Sequence, residues 1–383
     1  MTPRERILAA LNFQPVDRIP FVPLIEPFTL MDMPEEIKGE RMGGGFDPLG
    51  SARAGKALGC DMILRHVRVT RDSRFEAPHL QSLGCFESPV KANLDFKGDT
   101  LVESISTPIG TISGHWRFTD RVGSIPHSVR HCITNHEEME IFHYAVEHLA
   151  KEPPPVDTEE FFKIEAAIGD DGLSTASISN SPLMFLIEMA WGLENTYFLL
   201  HDYPGEVEDI LDKLHLSLIN QVKAMADSPA KVIIQYENTS STLLSPAVFR
   251  KYCLPYMNEY AEILEEAGKI FLIHMCGKIR SFKEDIATAR FHGIVDIAPP
   301  PTGDFPLDTA ADSLTGKIVI GGVDPTTFIS EDTDFVRSEV SGLIDRIKPF
   351  KGVMLGSADV TPRGARVENF RLIRELMDDR GTY

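Results

Sequence analysis

Short apolar runs recur along this 383-residue chain and alternate with longer amphipathic segments. Eight of these runs have the length and composition of strands: residues 19–25, 60–66, 174–180, 232–238, 270–276, 293–299, 318–324 and 352–358. Helical periodicity lies between the later runs, at 182–200, 205–226, 246–267, 278–290, 333–347 and 367–379. Strands that are apolar throughout and alternate with helices favour a parallel sheet that is covered on both faces. Eight such units predict an α/β fold, a closed (β/α)8 TIM barrel.

Residues 67–137 interrupt this alternation. The stretch LVESISTPIGTISGHWRF alternates on both sides of Pro108-Ile109-Gly110, which is a hairpin pattern. We therefore predict an antiparallel β insertion after the second strand, lying over one end of a single barrel domain that spans 1–383. An open doubly wound sheet is the alternative, but no G-x-G-x-x-G follows the first strand.

Composition argues against several classes of protein. The formal net charge of -19 disfavours a basic groove for nucleic acid. No run approaches the roughly 18 apolar residues of a membrane span, and the N-terminus lacks a signal-peptide pattern. Five cysteines without paired spacing fit a reducing compartment better than a disulfide framework. We expect a cytoplasmic protein whose oligomeric state the sequence leaves open, with a homodimer as one option.

Polar side chains collect where the predicted strands end, and barrel enzymes place their chemistry at the C-terminal ends of strands. These ends carry Glu26, His66, Asn180, Glu237, His274, Cys276, Asp324 and Asp359. We interpret Glu26, His66 and Asn180, together with Trp116 in the hairpin, as candidate substrate-binding residues. Structural alternatives are a buried paired carboxylate for Glu237, a helix cap for Asp359, a turn for Asp324 and a cross-strand pair for Trp116.

His274 and Cys276 stand two residues apart on a predicted strand, so both side chains point the same way. An imidazole and a thiolate together suit zinc, and a catalytic zinc uses three protein ligands and one open position. Glu237 on the preceding strand and Asp359 after the last strand could complete the set. A core cysteine beside a hydrogen-bonded histidine is the alternative.

Four segments resemble the uroporphyrinogen decarboxylase superfamily, especially its methyltransferase branch. They are TPRERILAALNFQPVDRIPF near the N-terminus, GLENTYFLLHDYP at 192–204, LLSPAVFRKYCLPYMNEYAEILEEAGKIFLIHMCGKI at 243–279 and VENFRLI at 367–373. The resemblance covers nearly the whole chain and implies a (β/α)8 barrel. True decarboxylases carry a Met-Arg-Gln-Ala-Gly-Arg stretch after the first strand. Here that place reads PLIEPFTLMDM, so the cationic clamp for a poly-carboxylate substrate is missing and decarboxylation is disfavoured.

The methyltransferase branch implies a zinc site of the His-x-Cys kind with a later cysteine, and a corrinoid supplied by a partner protein. His274 and Cys276 match the first two ligands, and the third position falls on Asp359. The implied set is therefore His274, Cys276 and an oxygen ligand, Asp359 or Glu237. An oxygen ligand hardens the site and suits polarisation of an oxygen or nitrogen leaving group. The predicted function is zinc-dependent methyl transfer between a small methoxy- or methylamine-type substrate and a corrinoid, with Glu237 and His274 as catalytic residues.

Three alternatives remain open at this point. They are a methylcobamide:thiol methyltransferase, a uroporphyrinogen decarboxylase, and a non-catalytic barrel that binds a corrinoid or another tetrapyrrole. The sequence contains no corrinoid-binding D-x-H-x-x-G motif. Any cobalamin is therefore expected to arrive on another protein that docks over the barrel mouth and residues 67–137. His66, His115 and Tyr236 are candidates for a general acid.

Overall fold

The computed structural model describes residues 1–38, 48–70, 86–118 and 126–383. Its strands are β1 (Met62–Leu64), β2 (Lys91–Lys97), β3 (Thr100–Thr107), β4 (Gly110–Arg117), β5 (His127–Arg130), β6 (Gly172–Ser174), β7 (Ala176–Ile178), β8 (Val232–Tyr236), β9 (Ile270–His274), β10 (Gly293–Ile297), β11 (Ile318–Val323) and β12 (Val353–Ser357). Its α-helices are α1 (Pro3–Leu11), α2 (Glu35–Lys38), α3 (Pro48–Ala57), α4 (His136–Val146), α5 (Glu159–Ile168), α6 (Pro182–Phe185), α7 (Leu193–Asp202), α8 (Pro204–Asp227), α9 (Pro246–Tyr252), α10 (Leu254–Glu266), α11 (Lys283–Thr288), α12 (Leu307–Ser313), α13 (Pro325–Ile329), α14 (Thr333–Ile347) and α15 (Val367–Asp379). Among these helices, none combines the length and apolar character needed to cross a membrane.

Parallel strands form the body of the molecule. Strands β7 to β12 make one six-stranded sheet, and β1 pairs in parallel with β6, which leads directly into β7. The segment 19–25 fills the remaining place, because Val22 N donates to Leu355 O at 2.7 Å and Asp61 N donates to Phe21 O at 2.8 Å. The eight segments lie in the eight places of the predicted barrel, and the α/β fold class is confirmed.

The first of these segments is not a regular strand. It makes single parallel bridges, Phe21 with Leu355 and Leu24 with Val360. Pro20 and Pro23 lack the N–H donors that a continuous ladder requires. The prediction of a strand over 19–25 is therefore right in position and wrong in regularity.

Helix prediction succeeds for 333–347 and 367–379, which coincide with α14 and α15. The continuous helix predicted for 182–200 is wrong, because α6 passes into a π-helical turn at Leu186–Ala190 and α7 begins only at Leu193. The break falls at Gly192, whose φ of 77° is a conformation that glycine adopts without strain. The π-helical turn places Glu188 within reach of the residues that follow β7 and β8.

The predicted antiparallel insertion is confirmed by a four-stranded sheet in the order β2-β3-β4-β5. The β3–β4 pairing runs from Thr100 opposite Arg117 to Thr107 opposite Gly110, which leaves Pro108 and Ile109 as the turn. Parts of the predicted 67–137 insertion lie outside the described residues. The assignment of 1–383 to one domain stays a prediction.

The barrel interior is apolar and is closed at its N-terminal end by α1. Inward side chains form one cluster: Ile7, Ala10, Leu11, Val22, Leu173, Val232, Ile234, Leu272, Val295, Ile318, Ile320 and Met354. Helix α1 begins with a capping box between Thr2 and Glu5 and contributes the first three of these residues. Polar groups that follow the same inward direction therefore emerge at the opposite, C-terminal end.

A buried ion cluster joins α1, the first segment and β1. The Asp61 carboxylate accepts from Arg6 Nη1 at 2.6 Å, from the Phe21 N–H at 2.9 Å and from Arg18 Nη2 at 3.1 Å. The Asp61 side chain has no solvent exposure, and each arginine is 6% exposed. Two buried guanidinium groups therefore share one buried carboxylate, and Arg6 also pairs with the exposed carboxylate of Asp17 at 2.6 Å.

Candidate active site

Three ligand-type side chains meet at the C-terminal ends of β9 and β12. The ligand atoms of His274, Cys276 and Asp359 lie within 4.8 Å of one another. His274 Nε2 is 3.9 Å from Asp359 Oδ1, a separation that two ligands about 2.0–2.2 Å from one zinc ion can span. His274 is buried, Cys276 is half-buried, and the Asp359 side chain is 40% exposed. The group therefore faces the protein interior on one side and solvent on the other.

The alternation of β8 and β9 brings these groups together. His274 and Cys276 continue the inward direction of Leu272, whereas Met275 is buried on the other side. On β8, Tyr236 follows Ile234 inward, and its ring stacks on His274 with centroids 5.0 Å apart. The prediction that His274 and Cys276 point to the same side is confirmed.

A buried carboxylate, Asp296, contacts His274 on the ring nitrogen that faces away from Cys276 and Asp359. His274 Nδ1 lies 2.5 Å from Asp296 Oδ2. Arg65 donates through both terminal nitrogens to the same carboxylate, with Nη2 at 2.7 Å from Oδ1. Burial acts to raise the pKa of Asp296, but the charges of Arg65 and His274 hold it below its usual range. Burial acts to lower the pKa of His274, but Cys276 and Asp296 raise it well above its usual range, so without a metal ion both ring nitrogens carry protons. Because Asp296 accepts the hydrogen bond of Nδ1–H, Nε2 is the nitrogen that would lose its proton to a metal ion on the side where Cys276 and Asp359 lie.

Asp296 owes its direction to an irregularity in β10. The pairing of β10 with β11 shifts register between Ile294 and Ile297, and Asp296 has a φ of 66°. A bulge of this kind re-aims a side chain relative to simple alternation. Asp296 therefore turns toward His274 although Val295 beside it also faces the interior.

Positive φ angles are concentrated around this group. His66, Asn238, Asp296 and Asp359 have φ values of 57°, 51°, 66° and 103°. In the described residues, Phe13 is the one other non-glycine residue with positive φ. Such conformations are costly for residues with a side chain and cluster at functional sites. Their concentration here supports a functional role for this end of the barrel.

Glu26 and His66 lie beside the group, and their role in binding substrate stays a prediction. His66 Nε2 is 4.0 Å from Glu26 Oε1, and the His66 ring lies 4.4 Å from that of Tyr236. Burial lowers the pKa of His66 to about 3, with Arg65 and His274 adding to the effect, so the imidazole is neutral at pH 7. Burial raises the pKa of Glu26 to about 8, against the opposing charge of Arg65.

Asn180 belongs to a hydrogen-bond chain that the sequence did not indicate. Glu188 Oε2 accepts from Asn180 Nδ2 and from Asn238 Nδ2, both at 2.9 Å. Asn238 Oδ1 in turn lies 3.9 Å from the Cys276 sulfur. Burial raises the pKa of Glu188 to about 7, although the two amides and the charge of His274 act to lower it. This series of hydrogen bonds connects the carboxyl group of Glu188 to Cys276 through the side chain of Asn238.

Glu237 lies elsewhere. Its carboxylate accepts from the Ser181 N–H at 2.6 Å and from Ser181 Oγ at 2.5 Å, at the start of α6. Tyr236 faces the barrel interior, so alternation turns Glu237 outward toward the helices. This is the buried, paired carboxylate of the structural alternative. The ligand group within 4.8 Å among the described residues does not include Glu237.

Trp116 lies inside the insertion. The residue is 4% exposed, and its indole Nε1 donates to Glu103 Oε2 at 2.8 Å. Its ring meets His131 edge-on with centroids 6.2 Å apart. Trp116 therefore packs within the β3–β4 region, and this arrangement does not place it against His274.

Sequence reasoning missed Arg65, Asp296, Glu188 and Asn238. A usable signal existed for the first three, since each is a charged residue inside an apolar run: MILRH, GIVDI and MFLIEMA. Buried charges are retained where they are paired or functional. Asn238 carries no comparable signal, because asparagine after a strand is ordinary turn composition.

The fold and this group define a class: a (β/α)8 barrel enzyme whose candidate metal ligands lie at the C-terminal ends of the strands. Comparison with known proteins then gives the family. Residues 163–379, more than half of the chain, match the family described as "Uroporphyrinogen decarboxylase (URO-D)". The chain belongs to this family.

Relatives narrow the family further. The protein "Methylcobamide:CoM methyltransferase MtbA" of Methanosarcina acetivorans is 22% identical over 340 residues, which cover 87% of this chain and 85% of that protein. The protein of the same name from Methanosarcina mazei is 25% identical over 344 residues, with the same coverage. A solved structure described as "methyltransferase from Methanosarcina mazei" covers 99% of both chains with a TM-score of 0.63 and 16% identity. The predicted fold is supported by this structure, and the resemblance to the methyltransferase branch is confirmed.

Proposed function

We propose that this protein transfers methyl groups from a small methoxy- or methylamine-type donor to a reduced corrinoid carried by a partner protein. The observation that carries the proposal is the imidazole, thiol and carboxylate of His274, Cys276 and Asp359, within 4.8 Å of one another at the barrel mouth. The names of the two relatives associate them with methylcobamide, which supports a corrinoid as a substrate of this chain.

The three side chains fit zinc. His274 Nε2 is available because Nδ1 lies against Asp296 at 2.5 Å, the arrangement of a carboxylate–histidine–metal triad. One sulfur, one nitrogen and one oxygen ligand leave the open position that a catalytic zinc requires. When bound, zinc supplies Lewis-acid polarisation of the donor heteroatom. A second candidate group, His143, Glu147 and Asp209, fits less well, because the Lys213 ammonium already pairs with both of its carboxylates.

Residues around the three ligands orient His274 and set the charge around the methyl donor. The Asp296 carboxylate and the Tyr236 ring fix the plane of His274, so its Nε2 needs no reorganisation. His66 is neutral and adds no positive charge beside the donor. Glu26, with its pKa raised to about 8, is mostly protonated at pH 7 and can donate a hydrogen bond to the heteroatom.

Asp359 decides between two directions of transfer. A site with more sulfur ligands favours thiol acceptors, whereas a carboxylate ligand makes the metal harder and favours oxygen or nitrogen donors. The second candidate function, methyl transfer from a corrinoid to a thiol, is favoured by the activity for which the two Methanosarcina relatives are named. Asp359 is the residue of this chain that favours the first candidate function, methyl transfer from an oxygen or nitrogen donor to a corrinoid.

Replacement of Asp359 by cysteine tests the proposal. We measure two initial rates: corrinoid methylation from methoxy or methylamine donors, and thiol methylation from methylcobalamin. The ratio of the first rate to the second is expected to fall about tenfold or more in Asp359→Cys, equal to about 1.4 kcal/mol of relative barrier.

Asp312→Cys, an exposed position on α12, is the matched control and should leave the ratio unchanged. Zinc content is measured in the same samples. An unchanged ratio in zinc-loaded Asp359→Cys would show that Asp359 does not set the direction. A wild-type protein that methylates thiols alone would favour the second candidate.

A further inference from the structure

We propose that Glu188 delivers the proton to the oxygen or nitrogen atom from which the methyl group departs. This inference rests on the proposed function and assigns a catalytic role to a residue outside the metal-ligand group. It starts from the chain Asn180–Glu188–Asn238–Cys276, which links a half-buried carboxyl group to the barrel mouth.

The proposed reaction needs such a donor. The bond between the methyl carbon and the donor oxygen breaks, and its electron pair stays on oxygen. The methyl carbon bonds to the corrinoid cobalt, whose two electrons form the new bond as Co(I) becomes Co(III). The oxygen is left with a negative charge unless a proton arrives, and a neutral methylamine donor leaves the same demand on nitrogen. Proton transfer by a positioned side chain typically contributes ~10²–10⁴-fold in rate.

Among the described residues, three other buried or half-buried acids lie near this end of the barrel, and each has a different partner or role. Ser181 engages the Glu237 carboxylate, and Asp296 is held as an anion between Arg65 and His274. Glu26 lies 4.0 Å from His66 and is mostly protonated at pH 7, because burial raises its pKa to about 8 against the charge of Arg65. We assign Glu26 the hydrogen bond that orients the heteroatom, and Glu188 the transfer of the proton. Glu188 faces no such cation at hydrogen-bond distance: both amide donors bond its Oε2, and neither engages Oε1.

Asn238 sets the position of this carboxyl group. With φ of 51° it turns back after β8, so that its Nδ2 reaches Glu188 while its Oδ1 faces the Cys276 sulfur. Asn180 supplies the second amide from the end of β7. Two fixed amide donors hold the carboxyl group in one orientation, which is the preorganisation that a general acid requires.

The ionisation of Glu188 suits the role. Burial raises its pKa to about 7, with the amides of Asn238 and Asn180 and the charge of His274 acting in the opposite direction. Glu237, whose own pKa burial raises to about 8, is another titratable group that interacts with it. About half of the molecules are therefore protonated near neutral pH, the condition under which a general acid is most effective.

Glu188→Gln tests the proposal because glutamine keeps the oxygen that accepts from Asn180 and Asn238 but carries no ionisable proton. The probes are para-substituted methoxybenzenes, from methoxy-substituted to cyano-substituted, with cob(I)alamin as acceptor. We expect Glu188→Gln to slow transfer from the electron-rich donors by about 10²-fold or more and from the cyano donor by much less. The dependence of rate on leaving-group pKa should be shallow in the wild type and steep in the variant.

Three comparisons make the result specific. Glu188→Asp keeps a proton and should recover part of the rate, and Glu194→Gln on the exposed face of α7 should match the wild type. Zinc content should be equal in all four proteins. The wild-type rate should fall as pH rises through about 7, because the acid form is lost, and Glu188→Gln should lack this fall.

The outcomes separate the two levels of the proposal. A Glu188→Gln protein with wild-type rates, slope and pH profile would overturn the role of Glu188 and leave the proposed function intact. A zinc-loaded wild type that methylates cob(I)alamin from no oxygen or nitrogen donor would overturn the proposed function, and the role of Glu188 with it.

Discussion

His274→Ala and Cys276→Ala are each expected to abolish zinc binding, whereas the wild-type protein should hold about one zinc ion per chain. Each substitution leaves two ligands of the group that lies within 4.8 Å. Zinc is added to the purified proteins, the excess is removed by gel filtration, and the bound metal is determined by elemental analysis. A thermal-stability readout accompanies it, since a ligand at a hundredfold its Kd stabilises the native state by about 2.7 kcal/mol.

Matched controls distinguish loss of a ligand from loss of fold. Cys60→Ala removes another buried thiol, and His201→Ala removes an exposed imidazole of α7. Both should keep about one zinc per chain and the stabilisation by zinc. A wild-type protein that takes up no zinc would contradict the Lewis-acid chemistry and would favour a barrel that binds its ligands without metal.

Asp61→Ala is expected to lower the free energy of unfolding by about 3–5 kcal/mol, the cost of removing one partner from a buried ion cluster. The side chain is fully buried, and it joins Arg6, Arg18 and the Phe21 N–H. Without it, the two buried guanidinium groups at the junction of α1, the first segment and β1 are left with exposed carboxylates, Asp17 for Arg6 and Asp378 for Arg18. Urea unfolding followed by circular dichroism gives the change in midpoint and free energy.

Asp345→Ala is the control for this prediction. Asp345 pairs with Arg380 at 2.7 Å on the surface, with side chains 55% and 44% exposed. Exposed pairs contribute little, so the expected loss is below about 1 kcal/mol. Equal losses in the two variants would show that the Asp61 cluster is no more important than a surface pair.

The barrel could be predicted from the sequence because its strands are apolar on both faces and short. Residues 293–299 and 318–324 predict β10 and β11 to within a few positions. The position of the first segment, 19–25, could be predicted, but its irregular hydrogen bonding could not. Its apolar pattern implies a regular strand, whereas its prolines lack the N–H groups that a continuous ladder requires. The broken helix after β7 was missed because the periodic apolar pattern continues across Gly192.

The part of the site that lies on a single strand could be predicted from the sequence. His274 and Cys276 were found together because a spacing of two on a strand fixes a shared face. Asp296 and Arg65 were missed because they are 231 residues apart and because a bulge turns Asp296 inward. Glu237 was expected at the site from its place at a strand end, but alternation after Tyr236 directs it to Ser181. The position of a residue at a strand end shows that it lies near the C-terminal end of the barrel. Whether its side chain points into or out of the barrel depends on the alternation and register of that strand.

The most direct test of the central claim is the direction of methyl transfer by the zinc-loaded wild-type protein. One preparation is given cob(I)alamin with methoxy and methylamine donors, and separately methylcobalamin with a thiol. The absorption spectrum of the corrinoid follows both reactions. We predict formation of methylcobalamin from at least one oxygen or nitrogen donor, lost in His274→Ala. Demethylation of methylcobalamin by the thiol alone, with no reaction from any such donor, would contradict the account.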